Sequence, residues 1–279
     1  MNWIKTAVIF VVAIILIIFD LLPNKNSGKL SVTFIETGKS DSIFIKMPDG
    51  ETVLIDGGLE DSFGNIHDVL LKNDVKTIDY MINTHQHDDH LGAFSELLKV
   101  YDVKNFYMPE TDIENEYYEK TIQSLEKKNI PVNIIKRGNV ICDGDAKIEV
   151  LAPYIDYKPS DENNYSAVLL LTYKEKKFLF TADAQRVVLN NLVLDYGLSH
   201  CDVIKISHHG SKDANSGYFL KKVTPDYAVV TSKNREEYIE KLLSKYVKNY
   251  YFTCDSGNVT MICDGKNIEV KTERKKNEN

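Results

Sequence analysis

Residues 3–22, WIKTAVIFVVAIILIIFDLL, are apolar around the whole circumference of the helix they would form, with Lys5, Thr6 and Asp20 confined to its ends. At about 1.5 Å per residue that helix spans about 30 Å, the thickness of a bilayer core. A signal peptide has a shorter apolar region and a small-x-small cleavage site, and the following LPNKNSGK offers none. The run therefore reads as one N-terminal transmembrane helix, an uncleaved anchor, rather than a buried soluble helix. Lys5 flanks it on one side and Lys25 and Lys29 on the other, so the basic residues do not orient it. A short N-terminus leading into an apolar run is how export begins, which puts the domain outside the cytoplasm, membrane-anchored, or secreted if the segment is cleaved. Residues 23–29 then form a tether, and residues 271–279, KTERKKNEN, a charged tail.

Beyond the tether the pattern changes to short alternating or β-branched runs. Residues 30–37, 42–47 and 52–55 are closed by Gly38, by Pro48-Asp49-Gly50 and by Asp56-Gly57-Gly58, and read as a strand meander. Strand-like and helix-like runs then take turns. Strands are predicted at 78–83, 147–151, 167–173, 177–181, 202–206 and 227–231. Helices are predicted at 91–101, 114–128, 185–194 and 236–246, and a hairpin at Ser256-Gly257. Strands interleaved with helices predict sheets covered by helices, an α/β layered sandwich in one domain over residues 30–270.

Composition narrows the setting. The 279-residue chain has 34 Lys+Arg against 41 Asp+Glu, a formal charge of -7, so no global basic footprint for nucleic acid is visible. Hydrophobic residues at 43% and charged residues at 27% exclude a disordered chain. Cys142, Cys201, Cys254 and Cys263 are too sparse for a disulfide framework, and none forms a C-x-x-C pair. A hairpin closed at residues 255–258 sets Cys254 opposite Val259 rather than Cys263, so all four read as unpaired structural thiols.

The chemistry is concentrated in THQHDDHLGAF, residues 84–94, which holds three of the chain's 7 histidines in six positions, with Asp88 and Asp89 between them. The stretch follows a predicted strand and precedes a predicted helix, a loop at a sheet edge, where sites tend to be built. Alternation projects His85 and His87 the same way from an extended segment, while Asp89 and His90, at the start of a helix, are aimed differently. Two donor groups facing different directions suit two metal ions. Imidazole with carboxylate suits Zn²⁺ first, with Mn²⁺ or Fe as alternatives. Asp88 reads as a solvated or helix-capping residue.

These residues resemble the metallo-β-lactamase superfamily, whose loop signature H-x-H-x-D-H stands here as His85-Gln86-His87-Asp88-Asp89-His90. FIETGKSDSIFI with VLIDGG resembles the opening strands of the hydrolase domain of ComEC-type competence proteins, with their D-V-G-Q-G-D-type turn and L-I-D-G-G. ENNYSAVLLL with FLFTADA resembles that branch's Asn-rich segment and G-D strand end, and DVIKISHHGS its D-V-x-K-x-x-H-H-G-S, which includes Asp202. The resemblance implies the αββα metallo-β-lactamase fold and a binuclear metal-dependent hydrolase. It implies His85, His87, Asp89, His90, Asp183 and His208 as metal ligands, Asp183 bridging both ions, and Asp89, His208 and His209 in catalysis. Asp56, Asn163, Asn164, Lys205, His209 and Ser211 are implied as supporting or substrate-contacting residues.

The chain also departs from that pattern. Glu36, Lys39 and Ser40 replace residues usual in the first turn, and Ala182 replaces the usual glycine before Asp183. Many superfamily hydrolases place a third ligand of the first metal between the loop motif and the bridging aspartate, yet no histidine lies between His90 and His200. Asn163 and Asn164 occupy that region, so water or one of His208 and His209 completes the first site. Taken alone, Asp183 serves equally as a helix cap and Asp56 as a turn former, and Lys205 as an ion-pair partner or a phosphate contact. His67 and His200 have no motif around them.

Two cations about 3.5–4 Å apart hold a shared hydroxide and lower the pKa of water from about 15.7 to about 7. Hydrolysis follows, with Asp89 orienting the hydroxide and His208 or His209 protonating the leaving group. The branch implies a phosphodiester substrate, in DNA or in a cell-envelope polymer. Lys127, Lys128, Lys136, Lys221 and Lys222 line a groove or form solvated faces. The alternatives are a lactone or β-lactam hydrolase of the same fold and a non-catalytic membrane-anchored metal-binding module. A di-iron redox protein of this fold would carry a carboxylate in place of His87.

Overall fold

The computed structural model describes residues 28–112, 114–154 and 161–274. Sheet one runs β15 (Ile268–Thr272), β14 (Val259–Cys263), β1 (Leu30–Phe34), β2 (Ile43–Lys46), β3 (Thr52–Ile55), β4 (Thr77–Ile82), β5 (Asp102–Pro109) and β6 (Val132–Ile135). Sheet two runs β13 (Asn249–Phe252), β12 (Tyr227–Val230), β11 (Val203–Lys205), β10 (Lys176–Phe180), β9 (Val168–Tyr173), β8 (Ala146–Ala152) and β7 (Val140–Asp143). Strand parity joins them. Ile43 and Ile45 of β2, with Phe178 and Phe180 of β10, meet in a core between the sheets. Phe44 and Leu179, one position out of phase, face the outer helices.

Helices α1 (Phe63–Lys72), α2 (Asp88–Leu91), α3 (Phe94–Val100) and α4 (Glu116–Lys128) pack on sheet one, through Ile66, Leu91, Phe94 and Leu125 among others. Helices α5 (Arg186–Asp195), α6 (Gly217–Val223) and α7 (Glu237–Tyr246) pack on sheet two, through Leu192, Phe219 and Leu243. The result is the two-sheet α/β sandwich that the interleaved pattern predicts.

Several expectations change. The apolar stretch 3–22 lies outside the described residues, and among the described residues no helix is long and apolar enough to cross a membrane. The helix expected at 91–101 is interrupted at Gly92, where a Cβ would stand 2.5 Å from the Glu60 backbone nitrogen, so loop and helix meet too closely for any side chain. The hairpin expected at Ser256-Gly257 does not form. Instead β13 and β14 belong to different sheets, and α8 (Thr253–Ser256) followed by Gly257 at φ +65° carries the chain between them. The hairpin is β14–β15, with Cys263 opposite Ile268. All four cysteines are free. Strand β15 reaches Thr272, two residues into the stretch expected to be tail.

Candidate metal centre

Strands β3 to β6 are parallel, as are β10 to β13. The candidate residues cluster at the carboxyl ends of these strands, the usual place for a site in such sheets. Asp56 follows β3, residues 84–90 follow β4, Asp183 follows β10, and His208 and His209 follow β11. The turns that aim them are strained. Asp56, Ala182, His208 and His209 all have left-handed backbones, at φ +60°, +45°, +48° and +52°. At Ala182, where the resemblance leads one to expect glycine, the carbonyl accepts from Lys205 Nζ (3.0 Å), Ser207 Oγ (3.3 Å) and His208 N (3.0 Å), which holds the turn in place.

Asp89, His90, Asp183 and His209 each offer a donor atom within 4.8 Å of the others. The outer hydrogen bonds decide which ring nitrogens face inward. His209 Nδ1 lies 2.9 Å from the Thr231 carbonyl, which can only accept, so Nδ1 carries a proton and Nε2 is left for the centre. His90 Nδ1 is 2.8 Å from Asp56 Oδ2, leaving His90 Nε2 at 3.3 Å from Asp183 Oδ2. Asp56 is itself fixed by Thr84, whose N and Oγ1 each donate at 2.7 Å. Beside this group, His85 Nε2 and His87 Nδ1 stand 3.1 Å apart. Nitrogens on one tetrahedral zinc lie about 3.3 Å apart at a Zn–N distance of about 2.0–2.1 Å. The other nitrogen of His87, Nε2, meets Glu162 Oε2 at 3.1 Å, the carboxylate–histidine pairing that fixes a ligand's tautomer.

The buried atoms fit a cation. His90 Nε2 and Asp183 Oδ1 are buried with no hydrogen-bond partner, on residues that are among the most enclosed in the fold. In the metal-free centre protons take the cation's part. Burial depresses His209, but Asp183 and Asp41 outweigh it and push its pKa up to about 9. His90 moves the same way against burial, through Asp183 and Asp56. Burial opposes ionisation of Asp183, but His209 and His90 hold it well below the carboxylate range. His85 is depressed, first by burial and then by the charge of His90, and stays neutral as a ligand must.

His208 sits one step away from this group. Its Nε2 is 3.6 Å from Asp183 Oδ2, its Nδ1 is 3.0 Å from Gln185 Nε2, and its side chain is 26% exposed. The structure thus brings His209, rather than His208, into the four-residue group. Lys205 is fully buried, ion-paired with Asp41 and 3.6 Å from Asp183 Oδ1, so it neutralises the centre from within and has no surface to offer a phosphate. Asn164 Oδ1 accepts from Gln185 N at 3.1 Å, while Asn163 Oδ1 is buried without a partner. Ser211 lies at the rim, and Asp88 is exposed at the start of α2, accepting from Asp89 N. His67 bonds Tyr101 (2.8 Å) and His200 faces the Thr224 carbonyl (3.0 Å), both away from the centre.

Sequence reasoning missed Asp41 and Glu162. Asp41 contacts Lys205, Thr231 Oγ1 (2.5 Å) and His209 Nδ1 (3.5 Å). It falls at the final aspartate of the D-V-G-Q-G-D-type turn, a signal that was there to use. Glu162 adjoins the Asn pair and had no such signal.

With this geometry in hand, the chain matches the metallo-β-lactamase superfamily over residues 35–231 and belongs to it. It is 26% identical to ComE operon protein 3 of Bacillus subtilis, over 76% of this chain and 29% of that protein. It is 24% identical to Recombination protein 2 of Haemophilus influenzae, over 94% of this chain and 33% of that protein, and 26% identical to competence protein ComA of Neisseria gonorrhoeae, over 74% and 27%. The chain spans about a third of the length of these relatives. Among solved structures, the metallo-β-lactamase fold protein YhfI of Bacillus subtilis superposes with a TM-score of 0.59 at 12% identity, over 80% of this chain and 96% of that one. CmlA, a di-iron β-hydroxylase from Streptomyces venezuelae, superposes with a TM-score of 0.53 at 14% identity, over 79% and 52%. At such identities the likeness is one of fold.

Proposed function

We propose that the chain is a binuclear metal-dependent phosphodiesterase, with DNA or a cell-envelope phosphoester as substrate. The observation that carries this reading is the pair of adjoining donor sets, His85 with His87 and Asp89 with His90, Asp183 and His209, every inward ring nitrogen of which is backed by an outer hydrogen bond. A set that uses no cysteine and borders an open cleft suits catalysis better than a closed structural site. The metals, when bound, supply a water of lowered pKa and positive charge for the phosphoryl oxygens. Asp183 supports both positions, and the buried ammonium of Lys205 offsets its charge. Asp89, 22% exposed, is placed to orient the attacking water. His208 is depressed by burial, against the pull of Asp183, and stays neutral. With Gln185 Nε2 donating to its Nδ1, it presents Nε2–H to the leaving oxygen or a phosphoryl oxygen. Attachment to a membrane through residues 3–22, with the domain on the outer face, belongs to the same proposal and is tested by membrane fractionation and protease protection.

The test is metal content per chain together with hydrolysis of bis-p-nitrophenyl phosphate, in the parent, Asp183→Asn and His209→Gln. Two metals per chain and a turnover reduced by at least about 100-fold in both variants is the expected result. Metal without diester hydrolysis removes the phosphodiesterase reading and redirects the search to lactones and other esters.

A further inference from the structure

A cleft of about 260 Å³ opens beside the centre, lined by His208 and His209 themselves and by Lys39, Ser211, Lys212 and Lys233. Three cations converge there in a chain whose formal charge is -7. Several basic side chains elsewhere are matched, as Lys104 is by Asp79 (2.6 Å), Lys176 by Asp202 (2.6 Å), and Arg235 by Asp255 and Glu240. Lys39, Lys212 and Lys233 are exposed, and among the described residues none of them pairs with a carboxylate. The cleft has a single acidic lining residue, Glu236, against these three.

The lysines also stand on braced loops. Thr37 Oγ1 donates to the Ser40 carbonyl (3.0 Å) and Ser40 Oγ to the Thr37 carbonyl (2.7 Å), closing the turn that presents Lys39. The Lys212 carbonyl accepts from Arg186 Nη2 (2.6 Å), and Asn215 Nδ2 ties the same loop to Ser207 O and Ser211 O. Ser232, next to Lys233, donates its backbone N–H to Thr253 Oγ1 (3.2 Å). Positive charge without a paired carboxylate, on loops held by such hydrogen bonds, makes a preorganised anion site. Lys39 is also one of the residues that depart from the competence-type first turn.

We propose that Lys39, Lys212 and Lys233 form a phosphate subsite that takes the neighbour of the scissile diester, so that the preferred substrate is a strand of repeated phosphodiesters rather than an isolated one. The inference rests on the phosphodiesterase reading, and binding separates the two. In EDTA, fluorescein-labelled (dT)8 is titrated with the full chain and followed by anisotropy. One phosphate neutralised on a single strand contributes about -0.7 to the log–log salt slope, an affinity about 2.6-fold lower at 200 mM than at 50 mM salt from this subsite. The Lys39→Gln/Lys212→Gln/Lys233→Gln variant is expected to bind at least about 10-fold more weakly with a flattened slope. Lys127→Gln/Lys128→Gln/Lys222→Gln, on α4 and α6, is the control for net charge and keeps the parental slope. Unlabelled poly(glycerol phosphate) competes as well as unlabelled (dT)8, because repeated phosphate is what is read. With metal added, the ratio of kcat/KM for (dT)8 to that for bis-p-nitrophenyl phosphate falls at least about 10-fold in the triple variant. A triple variant with the parental slope and ratio overturns the subsite and leaves the diesterase reading intact. Lysine-dependent binding of (dT)8 without hydrolysis of either ester supports the subsite and overturns the diesterase reading instead.

Discussion

Glu162, in the connection leading to β9 of sheet two, holds Nε2 of His87, in the loop after β4 of sheet one, at 3.1 Å. One carboxylate thus ties the two halves of the sandwich together at the mouth of the site and turns Nδ1 of His87 towards His85. Removing its charge frees the ring to flip. Glu162→Gln is expected to weaken metal at the His85–His87 position by about 10–100-fold while the Asp89–His90–Asp183–His209 position keeps its ion. Stepwise metal titration by calorimetry checks this, and equal weakening of both positions counts against it.

Lys205 and Asp41 form a fully buried pair under the centre. Lys205→Met leaves the Asp41 carboxylate without its cation, and breaking a buried pair from one side costs about 3–5 kcal/mol. Adding Asp41→Asn removes the stranded charge and is expected to recover part of the loss. Thermal unfolding of the two variants by circular dichroism measures the coupling, and a double variant no more stable than the single would reject it.

In the metal-free protein His209 has a pKa raised to about 9. A group raised on folding stabilises fully below its unfolded value, about 6.5, and that contribution is lost as pH rises through the folded value. In EDTA the melting temperature is therefore expected to fall between pH 6.5 and pH 9, and His90 acts in the same direction. With metal bound the sign reverses, because protons no longer compete for the nitrogens. The crossing of the two melting curves with pH is the readout, and parallel curves would contradict the assignment.

Ala182 occupies a left-handed conformation at φ +45°. A side chain there costs about 1–2 kcal/mol, while glycine loses about 0.5–1 kcal/mol more conformational freedom on folding. Ala182→Gly is expected to be neutral to stabilising by up to about 1 kcal/mol, with metal content unchanged. A lower melting temperature would mean that the three donors on the Ala182 carbonyl need the alanine to stay aligned.

The parts of this fold that could be read in the sequence were those with strong local pattern. Strands β2, β3, β9 and β10 are short runs of apolar or β-branched residues between turn signals, and the 84–90 loop packs its donors into neighbouring positions. Strand β5, with Asp102, Lys104 and Asn105 among its apolar residues, has no such clarity, and the register that seats it beside β4 is a property of the assembled sheet. His208 and His209 are equivalent in sequence. Consecutive left-handed residues send their rings to different places, and only the Thr231 carbonyl, arriving from β12, shows which nitrogen is free. Asp41 and Glu162 are single carboxylates in ordinary loops, joined to the site by contacts 190 and 75 residues away along the chain.

Strand β1 is hydrogen-bonded on one side to β2 and on the other to β14, with Leu30 opposite Cys263. The second partner is among the last parts of the domain to leave the ribosome. Until it does, Leu30, Val32 and Phe34 sit on an open edge, the kind of surface that invites pairing with other chains. A frameshift or premature stop just after residue 256 would thus do its damage at the opposite end of the domain, by leaving the first strand a sticky edge in the nascent chain.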